Sequence, residues 1–160
     1  MENIKKINND IAVSGQVTTQ QLQQAAFAGF KSVLNLRAPD ENSLMKDEQK
    51  QVENAGLNYT NIPVKVEKID DELIDQILEK IDQLPKPLLI HCASGMRAGA
   101  MALMNIAIHE EMTTQEAFQT AQKLGFDCSS SPKLKEILEQ YIDKHSPPTY
   151  GDSDIKCIPK

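Results

Sequence analysis

Residues Leu88–Arg97 have the sequence LLIHCASGMR, which is the most informative segment of this chain. A short apolar segment that predicts a buried strand runs directly into Cys92, and a loop containing Gly95 then leads into a long helical pattern. A thiol at a helix N-terminus faces backbone N–H groups and the positive end of the helix dipole, which stabilise a thiolate and attract an oxyanion. The stretch therefore predicts a cysteine nucleophile that faces an anion-binding loop.

Segments typical of strands and of helices alternate on both sides of this unit. Capping residues precede several amphipathic runs, and residues 98–107 are almost all apolar or small, which predicts a buried central helix. The predicted strands are 11–14, 32–36, 58–64 and 88–91, and the predicted helices begin near Thr18, Leu44, Asp70, Arg97, Thr113 and Pro132. This alternation predicts an α/β fold, with one central and mostly parallel sheet of four to five strands flanked by helices.

The length of 160 residues predicts a single domain. We expect a catalytic domain over residues 1–145 and a loosely packed tail over 146–160, where proline and polar residues accumulate. No run approaches the roughly 20 apolar residues of a membrane span, so a membrane association is not expected. The formal net charge of −6 argues against nucleic acid as a partner, because phosphate backbones require clustered Lys and Arg.

The three cysteines, Cys92, Cys128 and Cys157, are odd in number and form no CxxC pair. This pattern favours a reducing compartment, and therefore a cytoplasmic location, over a disulfide framework or a zinc site. No metal or organic cofactor is expected. The sequence carries no signal for an oligomeric state.

The predicted site is the loop around Cys92. Arg97 offers a planar guanidinium that can hold two oxygens of a tetrahedral anion, Gly95 lets the backbone curl, and His91 is expected to orient the loop by hydrogen bonding. Cys92 is the predicted nucleophile. The predicted anion-binding residues are His91, Ala93, Ser94, Gly95, Met96, Arg97 and Ala98.

The loop resembles the HCxxGxxR signature of cysteine-dependent tyrosine and dual-specificity phosphatases, and equally the persulfide loop of rhodanese sulfurtransferases. Over about residues 3–140 the chain resembles the bacterial phosphatase-like domain of beta-lactamase hydrolase-like proteins. Besides the loop itself, the shared features are Ser14-Gly15-Gln16, Asn35-Leu36-Arg37 and Ile62-Pro63-Val64. The resemblance implies a dual-specificity-phosphatase-like fold. It also implies hydrolysis of a small phosphorylated substrate or a phosphoprotein through a phosphocysteine on Cys92, with Arg97 binding the anion.

Two departures from the phosphatase signature leave other functions open. Four residues, Ala93 to Met96, separate Cys92 from Arg97, where the phosphatase signature has five, and this spacing favours sulfur transfer through a persulfide on Cys92. Ala98 stands where phosphatases usually place Ser or Thr, which favours a non-catalytic binder of phosphate or phosphoprotein. Phosphatase remains the leading hypothesis.

The general acid of such a phosphatase lies, by the same resemblance, in the loop before the helix that precedes the nucleophile strand. Here that loop is 65–70, which makes Glu67 a candidate. Asp40 and Glu41, which follow the strand leading to Arg37, offer an alternative source. Asp70 is better explained as a helix cap.

Overall fold

The computed structural model describes residues 4–41, 45–125 and 131–145. The strands are β1 (Ile4–Lys6), β2 (Ile11–Ser14), β3 (Ser32–Asn35), β4 (Asn58–Asn61) and β5 (Leu88–His91). The helices are α1 (Thr19–Phe27), α2 (Glu48–Asn54), α3 (Asp71–Gln83), α4 (Met96–His109), α5 (Thr114–Lys123) and α6 (Pro132–His145), with a short 3-10 turn at Val66–Lys68. The predicted tail, Cys128 and Cys157 lie outside the described residues.

The strands form one sheet in the order β1-β2-β5-β3-β4, in which only β1 is antiparallel to its neighbour. Strand β5 lies in the centre, and its last residue, His91, pairs with Ser14 on one side and Asn35 on the other. The loops that follow β2 and β3 therefore flank the loop that follows β5. Ligands of such sheets bind beyond these carboxyl ends.

Alternating residues of the strands belong to two apolar layers, one on each face of the sheet. Leu88 and Ile90 pack on the face that carries α4, whereas Leu89 packs into the opposite layer with Leu22 of α1 and Val52 of α2. Residues 98–107 of α4 are all buried, which confirms the predicted central helix and fixes its N-terminus against the sheet. In the described part of the chain, no helix combines the length and apolar character that a membrane crossing requires.

The predicted α/β class and mostly parallel sheet are confirmed, with three local differences. The edge strand β1 was not predicted because two of its three residues are exposed lysines without an apolar alternation. Strand β4 ends at Asn61 rather than at 64, since Pro63 has no N–H to donate to a ladder. Helix α2 begins at Glu48 rather than near Leu44, which lies outside the described residues.

Candidate active site

Cys92 follows β5 directly and lies over the start of α4. Its backbone N–H donates to the carbonyl oxygen of Ser14 at 3.2 Å, and its Sγ accepts a hydrogen bond from the backbone N–H of Gly95 at 3.1 Å. Gly95 is the N-cap of α4 and offers no side-chain acceptor, and the Ser94 Oγ accepts from the backbone N–H of Met96, the first residue of α4, at 3.4 Å. The Cys92 side chain is fully buried, so a reactant reaches the sulfur only when its surroundings move.

Two glycines allow the loop to close on the end of β2. Gly95 adopts φ 97°, a left-handed conformation that few residues other than glycine tolerate. At Gly15 a Cβ would lie 2.7 Å from the carbonyl oxygen of Ala93, and the same oxygen accepts from the backbone N–H of Gln16 at 3.1 Å. Backbone thus packs directly on backbone at this point.

Arg97 is held from two sides. Its Nη1 and Nη2 lie 2.7 and 2.9 Å from Oε2 and Oε1 of Glu41, and its Nη1 also donates to the carbonyl oxygen of Val64 at 2.8 Å. A guanidinium has five N–H donors, so Nε and the second hydrogen of Nη2 remain, on the opposite edge. Among the described residues no oxygen or nitrogen acceptor is found for these two donors, and the sulfur of Cys92 lies close enough to the guanidinium to act as a hydrogen-bond partner. The Glu41 carboxylate, followed by the neighbouring Cys92 thiol, raises the pKa of Arg97 against the opposing effect of burial.

Glu41 is a carboxylate that holds Arg97 in place. It accepts hydrogen bonds from Arg97, from Nε of Arg37 at 3.0 Å and from the backbone N–H of Ala38 at 2.6 Å. These contacts, that of Arg97 first, lower the pKa of Glu41 to about 2 although partial burial opposes them. A carboxyl group that keeps no proton near neutral pH cannot serve as a general acid. The loop after β3 therefore supplies a residue that positions Arg97.

A second buried contact lies behind the loop. Nε2 of His91 lies 2.5 Å from Oε2 of Glu48, the first residue of α2, and both side chains are almost completely buried. Nε2 of Gln16 lies 3.0 Å from Oε1 of the same carboxylate, and Oε1 of Gln16 accepts from Nη1 of Arg37 at 2.7 Å. The His91 side chain is thus held by hydrogen bonding on the interior side of the loop.

The two residues proposed as general acids lie at the surface. Asp40 forms an exposed ion pair with Lys65, whose Nζ lies 2.7 Å from Oδ2, and this lysine lowers the pKa of Asp40. Glu67 is exposed on the 3-10 turn Val66–Lys68. Asp70 caps α3 by accepting from the backbone N–H of Leu73 at 2.8 Å, as predicted. No group of three or more His, Cys, Asp or Glu suited to a metal ion occurs within the three described ranges.

The loop residues were predicted from the sequence, but no role was predicted for Gly15, Gln16 or Glu48. Glu41 was considered only as a possible general acid. A glycine and a glutamine directly after a buried strand, and a charged run after the next one, were the available signals. Neither signal indicates which distant side chain each residue would contact.

Comparison with known proteins places this arrangement in a family. Residues 3–108 match the family model described as beta-lactamase hydrolase-like protein, phosphatase-like domain. The chain belongs to this family. A beta-lactamase hydrolase-like protein of Xylella fastidiosa is 32% identical over 127 residues, which cover 78% of this chain and 30% of the relative. The chain thus spans about a third of the length of that curated relative.

Solved structures support the same placement of this phosphatase-like domain. A candidate phosphatase from Shewanella putrefaciens superimposes with a TM-score of 0.76 at 25% identity and covers 91% of this chain and 92% of its own. TpbA of P. aeruginosa, solved as a cysteine-to-serine variant in complex with phosphotyrosine, gives a TM-score of 0.66 at 16% identity, with 88% and 90% covered. At that identity the likeness to TpbA shows the fold alone.

Proposed function

We propose that this phosphatase-like domain hydrolyses phosphate monoesters through a phosphocysteine on Cys92. The proposal rests on a thiol at the N-terminus of α4 with Arg97 beside it. Nη1 and Nη2 of this arginine bind Glu41, which leaves Nε and the second hydrogen of Nη2 to donate to an anion. Two parallel N–H donors match the spacing of two phosphate oxygens. The backbone N–H groups of the loop and the start of α4 supply the remaining donors for the oxyanion.

The proposed reaction has two displacements. The Cys92 thiolate attacks phosphorus, the bond from phosphorus to the ester oxygen breaks, and the departing alkoxide or phenoxide takes a proton from a general acid. Water then attacks the phosphocysteine, the sulfur leaves as thiolate, and inorganic phosphate is released. Loop opening must precede the first step because Cys92 is fully buried.

A phosphorylated small molecule or a phosphoprotein is the proposed substrate class, and an aryl phosphate is the simplest probe. Steady hydrolysis of this probe is expected, with inhibition by vanadate and a covalently phosphorylated Cys92 in acid-quenched protein. Cys92→Ser should abolish turnover. Wild-type protein that hydrolyses neither aryl phosphates nor phosphotyrosine over a range of pH values would refute the proposal.

Sulfur transfer is the second candidate because only four residues separate Cys92 from Arg97. In that reaction the thiolate attacks the outer sulfur of thiosulfate, the S–S bond breaks, and sulfite leaves while Cys92 becomes a persulfide. Mass spectrometry should then show one added sulfur on the Cys92 peptide. An unmodified peptide would rule against this candidate.

A non-catalytic binder is the third candidate, favoured by the buried Ala98 in place of a hydroxyl residue. It predicts phosphate binding by wild type and by Cys92→Ser, with no turnover and no persulfide in either. Aryl-phosphate hydrolysis, thiosulfate treatment and phosphate titration on one preparation therefore separate the three functions.

A further inference from the structure

A cleft of about 380 Å³ lies beside the proposed anion site, between the two loops that hold Arg97. Ala38 lines the cleft, and its backbone N–H binds Glu41, the partner of Arg97. Lys65 lines it as well and directly follows Val64, whose carbonyl oxygen accepts from Nη1 of Arg97 at 2.8 Å. The cleft therefore begins within one residue of the contacts that fix the arginine.

Most of the residues that line the cleft are apolar. They are Ala38, Pro39, Pro63 and Leu73, the last from the first turn of α3. Such a lining offers no N–H donors to phosphate oxygens, so the cleft is not part of the anion site itself. Its volume lies within the range of small-molecule sites, and its apolar side chains suit the faces of an aromatic ring.

The candidate general acids place the leaving group of a substrate at this cleft. Asp40 lines it, and Glu67 stands in the chain between Lys65 and Lys68, which both line it. A general acid must come within hydrogen-bond distance of the ester oxygen that departs. Whichever carboxyl group acts, the group attached to that oxygen therefore has the cleft to occupy.

A lysine without an ion pair in the described part of the chain stands at the rim of the cleft. Lys65 is paired with Asp40 at 2.7 Å, whereas none of the ion pairs within the described ranges involves Lys68. Lys68 is exposed, and its backbone N–H donates to the carbonyl oxygen of Lys65 at 2.8 Å, which holds the 3-10 turn against the cleft. An ammonium group at this point complements a carboxylate on the outer end of an apolar ring.

We propose that the cleft is the leaving-group subsite of this domain and that it takes an aromatic ring bearing a carboxylate, which Lys68 binds. The inference rests on the proposed phosphatase function, because the ring is the phenol portion of the phosphate ester. The Cys92 thiolate takes the phosphoryl group, the bond from phosphorus to the phenolic oxygen breaks, and the phenoxide takes the proton of the general acid. The substrate class is thus a carboxyaryl phosphate, and Lys68 is a specificity-determining residue.

Two substrates of the same shape test the role of the charge. 4-Carboxyphenyl phosphate carries the carboxylate, and 4-carbamoylphenyl phosphate replaces it with a neutral amide. Lys68→Gln should lower the ratio of their kcat/KM values, charged over neutral, about threefold, which is the size of an exposed ion pair. Lys123→Gln, at an exposed position on α5, should leave the ratio unchanged. An unchanged ratio in Lys68→Gln would overturn the role of this lysine.

Leu73→Gln tests the apolar part of the cleft. Leu73 is half-buried, and its replacement should raise KM for 4-carbamoylphenyl phosphate about fivefold through lost apolar contact with the ring. Inhibition by inorganic phosphate, which fills only the anion site, should stay the same. Leu84→Gln, at a half-buried leucine at the other end of α3, controls for lost packing and should alter neither quantity. Equal KM values in the two leucine variants would overturn the placement of the ring.

Binding of the product separates the subsite from the phosphatase function. 4-Hydroxybenzoate should shift the backbone amide NMR signals of Lys65 and Leu73, and should shift them less in Lys68→Gln at the same concentration. These shifts together with no hydrolysis of either substrate by any variant would reject the phosphatase function and leave a site for an aromatic carboxylate. Hydrolysis without these shifts, and with the same substrate ratio in wild type and Lys68→Gln, would reject the subsite alone.

Discussion

Glu41 and Arg97 are 56 positions apart in the chain and meet in a two-point ion pair, with N–O distances of 2.7 and 2.9 Å. The carboxylate occupies the outer edge of the guanidinium, and the carbonyl oxygen of Val64 takes a further Nη1 hydrogen. An arginine side chain fixed in this way needs little ordering when an anion binds to its other edge. The pair therefore makes Arg97 a rigid part of the proposed cradle.

Replacing Glu41 with Gln should weaken catalysis more than folding. The amide has one acceptor oxygen and presents an NH₂ group to a guanidinium that can only donate. We expect kcat/KM for an aryl phosphate to fall roughly tenfold, or ~1.4 kcal/mol, with weaker vanadate inhibition. Glu53→Gln serves as the charge-matched control, and equal kinetics in the two variants would contradict the prediction.

The ion pair should also make stability depend on pH. The pKa of Glu41 is about 2 in the folded protein and 4.5 when unperturbed. Because the folded-state value is depressed, the stabilisation is fully present above the unperturbed value and is lost as the pH falls toward about 2. Urea unfolding of wild type and Glu41→Gln should show a difference in free energy that shrinks as the pH falls from about 5. A difference independent of pH would contradict the prediction.

Gly15→Ala should damage the nucleophile loop. Its Cβ would lie 2.7 Å from the Ala93 carbonyl oxygen, so the loop must shift. We expect a loss of stability of about 1–3 kcal/mol and a severe loss of activity. Gly56→Ala is the control, because Gly56 has φ +89° and open space around its Cβ position. That variant should cost roughly 1 kcal/mol of stability through backbone strain and retain its activity.

Ser32 and Thr113 should respond in opposite ways to loss of a hydroxyl. The Ser32 hydroxyl is buried and has no hydrogen-bond partner among the described residues, so Ser32→Ala should leave stability unchanged or raise it by up to ~1 kcal/mol. The Thr113 hydroxyl caps α5 by accepting from the backbone N–H of Glu116, so Thr113→Ala should cost about 1 kcal/mol. Chemical denaturation of both variants checks the contrast, which equal losses would contradict.

We expect Glu67, rather than Asp40, to act as the general acid of the proposed reaction. Asp40 is engaged in an ion pair with Lys65, whose Nζ lies 2.7 Å from Oδ2. Glu67→Gln should slow the hydrolysis of a substrate with a poor leaving group, such as an alkyl phosphate, by about 10²-fold or more, which is the usual size of a general-acid contribution. The hydrolysis of an activated aryl phosphate should change little. Asp40→Asn should have a small effect on both substrates. The reverse pattern would assign the acid to Asp40.

Much of the fold was predictable because it depends on local patterns. Apolar alternation and helix-capping residues lie within a few positions of one another, so Thr18, Asp70 and Thr113 marked helix starts that the structure confirms. The LLIH segment and the apolar run that follows it identified the central strand and the buried helix α4. The exposed, polar edge strand β1 carried no such pattern and was missed.

The residues of the proposed nucleophile loop can be identified from the sequence alone, because Cys92, Gly95 and Arg97 lie within one strand–loop–helix unit. The side chains that hold this loop in place are known only from the folded structure. The partners Glu41 and Glu48 lie 56 and 43 positions from Arg97 and His91. They reach the loop because the sheet places β5 between β2 and β3 in a fixed register. Strand order and register arise from burial of the whole sheet, and no short segment of sequence records them.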